Sequence, residues 1–394
     1  MTACYIGYIT QAIINNFAPL LFLTFESTYN IPLAKITLLV TINFLFQLVV
    51  DFVAAKFVDK IGYRPCIVAA HFFCAFGLAG LSVLPELLPD PYIGICLSIL
   101  IYALGGGLIE VLVSPIVESC PTEHKAASMG FLHSFYCWGH MFVIIASTVF
   151  FVTAGIENWK ILSLIWALVP LFNAFYFMKT PINQLPGEEE GGSSLKQLFS
   201  SGLFWLLLAL MFLSGSSEQS MSQWASAFAE SALLSSPLAQ YAKTLGDLAG
   251  PCMFALMMGI SRVIYSKMTQ KTDLSRMIMA SSILCIICYL ITALAPNPFV
   301  SLIGCGLCGF SVGIMWPGVF SLATFKCPGA STAMFAFLSL AGDLGCAAGP
   351  SAVGFISDVT SSPLKTGFLV ATAFPVLLFV GVLLCNRLTK KRDK

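Results

Sequence analysis

Single carboxylates interrupt three long apolar runs of the chain. Glu110 stands in LGGGLIEVLVSP, residues 104–115, and Glu218 and Asp343 occupy similar positions in later runs. An ionised carboxylate without a partner is costly in an apolar medium, so such acids usually face a cavity, a partner or a transferable proton. We therefore take these three acids as candidate proton carriers. The alternative is an acid that stays protonated and bonds to a neighbouring helix.

Amide and aromatic side chains at helical spacing form a second candidate set. Asn43, Gln47 and Asp51 are four residues apart and would share one helix face, as would Gln11 and Asn15. Amides and aromatic rings suit a polyhydroxylated solute, but the same groups can also bind a neighbouring helix. The candidate solute-binding residues are Gln11, Asn15, Asn16, Asn43, Gln47, His133, Tyr136, His140, Gln219, Gln223, Trp224 and Trp316.

Composition indicates where these residues lie. The chain has 394 residues, of which 58% are hydrophobic and 10% charged, whereas soluble domains carry about 25% charged residues. We therefore expect lipid to surround the protein. A helix of about 20 apolar residues spans a bilayer. The predicted spans are 4–26, 33–55, 66–86, 92–118, 126–153, 159–178, 198–228, 238–264, 276–294, 298–324, 331–356 and 365–387.

The basic residues predict the orientation. With twelve spans, all of the 20 Lys and Arg residues fall on the side of both termini except Lys35, Lys160, Lys243 and Lys365. The positive-inside rule then places both termini in the cytoplasm, and we expect the protein in the plasma membrane. It also leaves no Lys or Arg near the bilayer centre, so we expect anionic solutes to bind poorly. Asp247 lies one helical turn from Lys243, which suits a plain ion pair as well as a functional site.

The chain divides near its middle. Residues 179–197, KTPINQLPGEEEGGSSLKQ, predict a flexible cytoplasmic linker between two six-helix halves, 1–178 and 198–394. Residues 105–121 and 306–328 are similar, since each is a glycine-rich helix with a late proline followed by Cys-Pro. We expect an all-α membrane protein of two six-helix pseudo-repeats, an arrangement known among secondary transporters.

A short motif after the second predicted helix carries a family resemblance. AAKFVDKIGYRP, residues 54–65, resembles the G-x-L-x-D-(R/K)-x-G-x-(R/K) signature of the major facilitator superfamily. The resemblance implies that fold and a gating role for Asp59 and Arg64 on the cytoplasmic side. The alternative is a simple positively charged turn. The matching residues are Asp59, Lys60, Gly62 and Arg64.

Two further motifs resemble one branch of that superfamily, the fucose–galactose–glucose:proton symporters. They are GGGLIEVLVSP with Glu110, and SGSSEQSMSQWAS, residues 214–226, with Glu218 and Trp224. The branch has Asn-Asp in its first helix where this chain has Asn15 and Asn16. The resemblance implies proton-coupled uptake of a small neutral solute such as a sugar.

Other functions remain as alternatives. An exporter of neutral or cationic metabolites or drugs would have the same fold, and a non-transport membrane protein is a third possibility. No G-x-x-x-x-G-K-(S/T) or H-E-x-x-H motif is present, so we expect neither an ATPase nor an enzyme. We expect no cofactor, metal or nucleic acid, and a monomer in contact with lipid. The pairs Cys285/Cys288 and Cys305/Cys308 suit small-residue packing better than metal or disulfide chemistry.

Overall fold

The described residues of the computed structural model are almost entirely helical. They are 1–118, 120–121, 125–182, 199–234, 236–268, 273–326, 332–360 and 363–392. The helices of the first part are α1 Thr2–Asn16, α2 Phe22–Tyr29, α3 Leu33–Ile61, α4 Tyr63–Leu87, α5 Pro91–Glu118, α6 Lys125–Ala154 and α7 Trp159–Lys179. Those that follow are α8 Gly202–Leu234, α9 Ala242–Asp247, α10 Met253–Met268, α11 Leu274–Leu294, α12 Pro298–Val312, α13 Met315–Lys326, α14 Thr332–Asp358, α15 Pro363–Ala371 and α16 Ala373–Arg392.

Helices of the described residues occupy all of the predicted spans. Most predicted spans correspond to one helix. The first, eighth, tenth and twelfth are each built from consecutive shorter helices, such as α1 and α2 with the 3-10 turn Ala18–Leu21 between them. Ten segments of the described residues are long and apolar enough to cross a membrane; α8 and α14 are not among them.

The outer surface of these helices is apolar. Phe52, Phe76 and Phe172 expose 66%, 61% and 63% of their surface, and many Leu, Ile and Val side chains are similarly open. Soluble proteins rarely expose apolar residues in such number. With ten apolar helices, the chain is therefore a multi-pass integral membrane protein.

The chain forms two compact units. Unit 1 comprises Met1–Gly187 and Ala229–Cys252, and unit 2 comprises Glu188–Phe228 and Met253–Lys394. Residues 229–252 belong to unit 1, although the chain on both sides of them belongs to unit 2. Most of the predicted linker, residues 179–197, lies outside the described residues.

Each unit has its own helix packing. In unit 1, α4 packs on α5 and α7, α5 also contacts α3, and α1 packs on α6. In unit 2, α11 contacts α12, α15 and α16, α10 contacts α12, and α14 contacts α15. The helix α5, which carries Glu110, thus packs against both α3 and α4 in unit 1.

Three consecutive glycines let α5 approach its neighbours. A Cβ atom on Gly105 would overlap the carbonyl oxygen of Ala70 in α4. A Cβ on Gly106 would lie 3.1 Å from Oε1 of Gln47, and one on Gly107 would lie 2.9 Å from the Gln47 carbonyl oxygen. Small residues are the usual means of close helix contact in lipid. The triplet therefore brings α5 against α3 and α4, next to Glu110.

We predict that Gly105→Ala destabilises the protein. The new methyl group meets a backbone oxygen, which cannot rotate away, so we expect a loss of about 1–3 kcal/mol in the free energy of unfolding. The measurement is the melting temperature of the purified protein in detergent. Gly202→Ala is the matched control, because no atom lies within 4 Å of a Cβ there. Equal melting temperatures for the two variants would contradict the packing role of Gly105.

Candidate functional site

Five polar side chains of α1, α3 and α5 form one hydrogen-bonded network in unit 1. Gln11 Nε2 donates to Gln47 Oε1 at 3.0 Å and to Glu110 Oε2 at 3.2 Å. Gln47 Nε2 in turn donates to Asn15 Oδ1 and to Asn43 Oδ1, both at 3.0 Å. Asn43 Nδ2 also donates to Asn15 Oδ1, at 3.1 Å. The structure therefore brings together five residues that the sequence placed on three separate helices; we call them the amide network.

The amide network is enclosed by protein. Gln11, Asn15, Asn43 and Gln47 are buried, and Glu110 is half-buried. Among the described residues, Gln11 Oε1 is buried and has no hydrogen-bond partner. A buried acceptor without a donor is costly. Gln11 therefore keeps one acceptor available beside a carboxyl group that can gain or lose a proton.

The predicted residues of α6 lie near the same helix α1 but are less closely joined. Asn16 Nδ2 lies 3.4 Å from the Tyr136 hydroxyl, and the Tyr8 hydroxyl lies 3.4 Å from Nδ1 of the exposed His133. His140 is buried, and its Nδ1 has no hydrogen-bond partner among the described residues. These residues border α1 without direct bonds to Glu110.

His71 has a structural role that sequence reasoning missed. Its Nδ1 lies 2.7 Å from the Ile67 carbonyl oxygen and must donate, while its Nε2 accepts from Asn173 Nδ2 at 2.8 Å. Asn173 Nδ2 also donates to the Ala3 carbonyl oxygen at 3.0 Å. With one nitrogen donating and the other accepting, this pattern assigns a neutral imidazole. His71 therefore joins α1, α4 and α7 rather than supplying a positive charge. The lone amide in the apolar run ALVPLFNAFYF was the available sequence signal.

In unit 2, Glu218 has a basic partner. Its Oε2 lies 3.9 Å from Nη2 of Arg262, and Arg262 Nε donates to the Gly313 carbonyl oxygen at 3.4 Å. Gln219 Nε2 donates to Glu218 Oε1 at 3.3 Å, and Gln223 Nε2 donates to Gln219 Oε1 at 3.0 Å. The predicted residues Glu218, Gln219 and Gln223 therefore form a continuous row on α8.

The expectation that no Lys or Arg lies beside the buried acids is wrong for Arg262. The predicted span ended at residue 264, which placed Arg262 at the membrane face, but α10 continues to Met268. The long side chain, 18% exposed, reaches back to Glu218. A basic residue between the apolar residues of GISRVIY was the signal.

The predicted tryptophans lie at helix contacts of unit 2. Trp224 is fully buried, and its indole N–H donates to the Pro350 carbonyl oxygen at 2.9 Å, which joins α8 to α14. The Trp316 ring lies against Gly342, the residue before the buried Asp343. This placement favours packing for Trp224, because the protein encloses its whole surface.

Of the two predicted gating residues, the structure describes the side chain of Arg64. The side chain of Asp59 lies outside the described residues. Arg64 is at the start of α4, and its Nη2 donates to the Thr180 carbonyl oxygen at 2.9 Å, just after the end of α7. Arg64 thus joins two helix ends of unit 1.

The described residues show no metal centre. No group of three or more His, Cys, Asp or Glu among them is placed to hold a metal ion. Sγ of Cys285 lies 3.9 Å from Sγ of Cys308, and both thiols are free and buried. That distance is a packing contact between α11 and α12.

Comparison with known proteins identifies the family. The Major Facilitator Superfamily model matches residues 4–350, most of the chain. The chain belongs to the major facilitator superfamily. No curated protein matches it significantly by sequence.

Solved structures of major facilitator transporters share the fold. The E. coli fucose:proton symporter FucP is 17% identical, with 98% of each chain covered and a TM-score of 0.67. A D-xylose-proton symporter is 11% identical, with 97% of this chain and 96% of the other covered and a TM-score of 0.80. A bacterial homolog of the human lysosomal transporter Spinster is 14% identical, with 100% and 97% covered and a TM-score of 0.73. These likenesses confirm the predicted helical membrane fold.

We predict that Arg262 and Glu218 stabilise the protein as a pair. Arg262→Gln leaves the carboxylate without its partner and should lower the free energy of unfolding by about 1–3 kcal/mol, because partial exposure reduces the cost below that of a fully buried pair. The double variant Glu218→Gln/Arg262→Gln should lose less than the sum of the single variants.

A double-mutant cycle of melting temperatures in detergent measures this coupling. Arg276→Gln, at an exposed position of α11, is the control for loss of a guanidinium alone. Strictly additive losses would show that the two side chains do not interact.

Proposed function

We propose that this superfamily member is a secondary active transporter that takes up a small neutral solute, such as a sugar, together with protons by alternating access. The observation that supports this proposal most is the amide network with Glu110 inside the apolar helices of unit 1. Two of the structurally similar proteins are described as fucose:proton and D-xylose-proton symporters. Both descriptions agree with the proposal.

The amide network has the chemistry to bind hydroxyl groups. Each Asn or Gln amide offers two N–H donors and a carbonyl acceptor, and a sugar hydroxyl both donates and accepts. The four amides now bond mainly to one another. A solute that replaced these bonds with its own would leave no polar group unpaired, so exchange between the two states costs little.

Glu110 can join the solute site to a proton. When its carboxylate is ionised, it accepts from Gln11 Nε2, as observed. When it is protonated, it becomes a donor, and the unpartnered Gln11 Oε1 is the nearby acceptor that an amide rotation would present. That rotation also withdraws the donor from Gln47. Protonation of Glu110 therefore changes which atoms of the amide network face a solute.

The charges of the described residues favour a neutral solute. Arg262 is paired with Glu218, and His71 is held neutral by its hydrogen bonds. Anionic ligands in a cavity of low dielectric need a positive partner. Glu110 and Asp343 would instead repel an anion, so sugar acids and sugar phosphates should bind poorly.

The other candidates keep secondary roles in this proposal. Glu218 and Asp343 are the further candidate proton sites, and Asp59 and Arg64 are the proposed gating residues. The protein would act as a monomer in the plasma membrane, with both termini in the cytoplasm, as the distribution of Lys and Arg predicts.

Export of a cationic metabolite by the same fold is the second candidate function. It is favoured by the acids inside the apolar helices, which suit a cation. They are Asp51 beside α5, Glu110 on α5 and Asp343 in unit 2. A thermal-shift screen against sugars, polyols, nucleosides and cationic dyes distinguishes the two. Stabilisation by dyes and not by sugars would favour export.

We predict that Glu110→Gln abolishes coupling and spares binding. The amide keeps the shape of the side chain but cannot carry a proton, so solute-driven proton uptake into proteoliposomes should disappear while exchange of labelled solute continues. The solute is the best stabiliser found in the screen. Glu157→Gln, the same change at an exposed acid, is the control. A Glu110→Gln protein that still moves protons on solute addition would remove Glu110 from the mechanism.

We also predict that a hexose binds more tightly than its uronic acid at pH 7. The two differ in one carboxylate, which finds no unpaired base in the proposed site. Titration of the purified protein by calorimetry gives both dissociation constants. Tighter binding of the uronic acid would show that the neutral-solute assignment is wrong.

A further inference from the structure

The start of α11 and the end of α16 lie side by side in unit 2. Ser275 Oγ on α11 donates to Asn386 Oδ1 on α16 at 2.9 Å. At the other end of α11, Lys365 Nζ on α15 donates to the Ala295 carbonyl oxygen at 2.7 Å. These two bonds show that the span built from α15 and α16 runs antiparallel to α11.

The bond between Ser275 and Asn386 brings two arginines together. Arg276 follows Ser275 and Arg387 follows Asn386, and both arginines are exposed. A helix turns by about 100° per residue, so in an antiparallel pair the next residue of each helix turns to the same side of the pair. Arg276 and Arg387 therefore project from one side of the α11–α16 pair.

Both arginines lie at the end of an apolar span. The spans are Leu274–Leu294 and Leu364–Leu388, so Arg276 is the third residue of one and Arg387 is the second-to-last residue of the other. A long basic side chain near the end of a span extends its charge to the membrane surface. The two guanidinium groups are thus at the level where a phospholipid carries its phosphate.

The protein supplies no carboxylate to these guanidinium groups. Among the described residues, neither Arg276 nor Arg387 forms an ion pair. Asp273, at the start of α11, accepts instead from the backbone N–H of Arg276, at 3.2 Å. The sequence after Arg387 adds three further basic residues within five positions. An anion is therefore the ligand whose charge is complementary to this surface.

Exposed apolar residues continue from each arginine toward the middle of the bilayer. Leu384 and Val380 lie one and two helical turns before Arg387, and Ile283 lies two turns after Arg276. All three apolar side chains are nearly half exposed. Such rows suit acyl chains, whereas a free anion would make no use of them. A phospholipid fits both the arginines and the rows.

We propose that Arg276 and Arg387 bind the phosphate of an anionic phospholipid at the membrane face where α11 begins and α16 ends. A guanidinium presents two parallel N–H donors that match two phosphate oxygens. Ser275 acts by positioning, because its bond to Asn386 holds the two helix ends together. The lipid site is separate from the amide network, so it stands or falls independently of the proposed transport function.

Native mass spectrometry of the full-length protein in a nonionic detergent measures the dissociation constant of the first bound lipid. The probes are phosphatidylglycerol and phosphatidylcholine with the same acyl chains, and phosphatidylglycerol should bind more tightly. Arg276→Gln and Arg387→Gln should each weaken phosphatidylglycerol binding about fivefold, the equivalent of about 1 kcal/mol for one basic side chain at an anionic lipid. Binding of phosphatidylcholine should stay unchanged in both variants.

Two further variants separate this site from a general effect of positive charge. Lys179→Gln removes one charge at the exposed end of α7 in unit 1, and it should leave the dissociation constant of phosphatidylglycerol unchanged. Ser275→Ala keeps both guanidinium groups but removes the bond between the helix ends, so it should weaken phosphatidylglycerol binding by less than the loss of an arginine.

Inorganic phosphate tests the free anion as the alternative ligand, and it should not displace phosphatidylglycerol. Displacement would show a site for phosphate ions, and equal binding of the two lipids would show a site without preference for charge. An equal loss in Lys179→Gln would show an effect of net charge alone. Each of these results would overturn the proposal. Arg276→Lys and Arg387→Lys keep the charge without the paired donors; losses between wild type and the Gln variants support the proposal even if a Gln variant does not fold.

Discussion

Hydrogen bonding of polar groups without water is the constraint on which the structure depends. In lipid, a buried amide or carboxyl can find hydrogen-bond partners only inside the protein. Gln11 shows the result, since its amide NH2 group donates to both Gln47 and Glu110, which lie on two different helices. His71 on α4 and Asn173 on α7 likewise satisfy each other by a hydrogen bond between two helices. Polar residues therefore determine which helices meet, while the apolar residues determine only that helices form.

Close packing makes such bonding possible. Side-chain amides reach only a few ångströms, so the helix backbones must approach each other to within the reach of a Gln. Gly106 and Gly107 permit that approach between α5 and α3. In unit 2, Gly345 and Gly349 meet the backbone of α8, and Ser216 Oγ donates to the Gly345 carbonyl oxygen at 3.1 Å. The glycines thus allow the close helix contacts that the hydrogen bonds between polar side chains require.

The hydropathy and residue spacing of the sequence predicted the helices and their polar faces. They did not predict which side chains of different helices would contact each other. Hydropathy located the membrane spans, and the spacing of Asn43 and Gln47 correctly placed them on one face. The ion pair of Arg262 with Glu218 depends on the length of α10 and on side-chain reach, which no local pattern contains. The attachment of residues 229–252 to unit 1 likewise depends on contacts between distant parts of the chain.

The neutral pairing of Glu218 with Arg262 has an electrical consequence for the proposed transport. A salt bridge that stays intact contributes no net charge to the translocated complex, whereas a proton bound to Glu110 would be carried with the solute. Uptake of one neutral solute would then carry one positive charge inward and respond to voltage. A membrane potential of about 100 mV supplies about 2.3 kcal/mol per charge, enough for an accumulation of about fifty-fold. The cell's electrical gradient, and not acidity alone, would then drive accumulation.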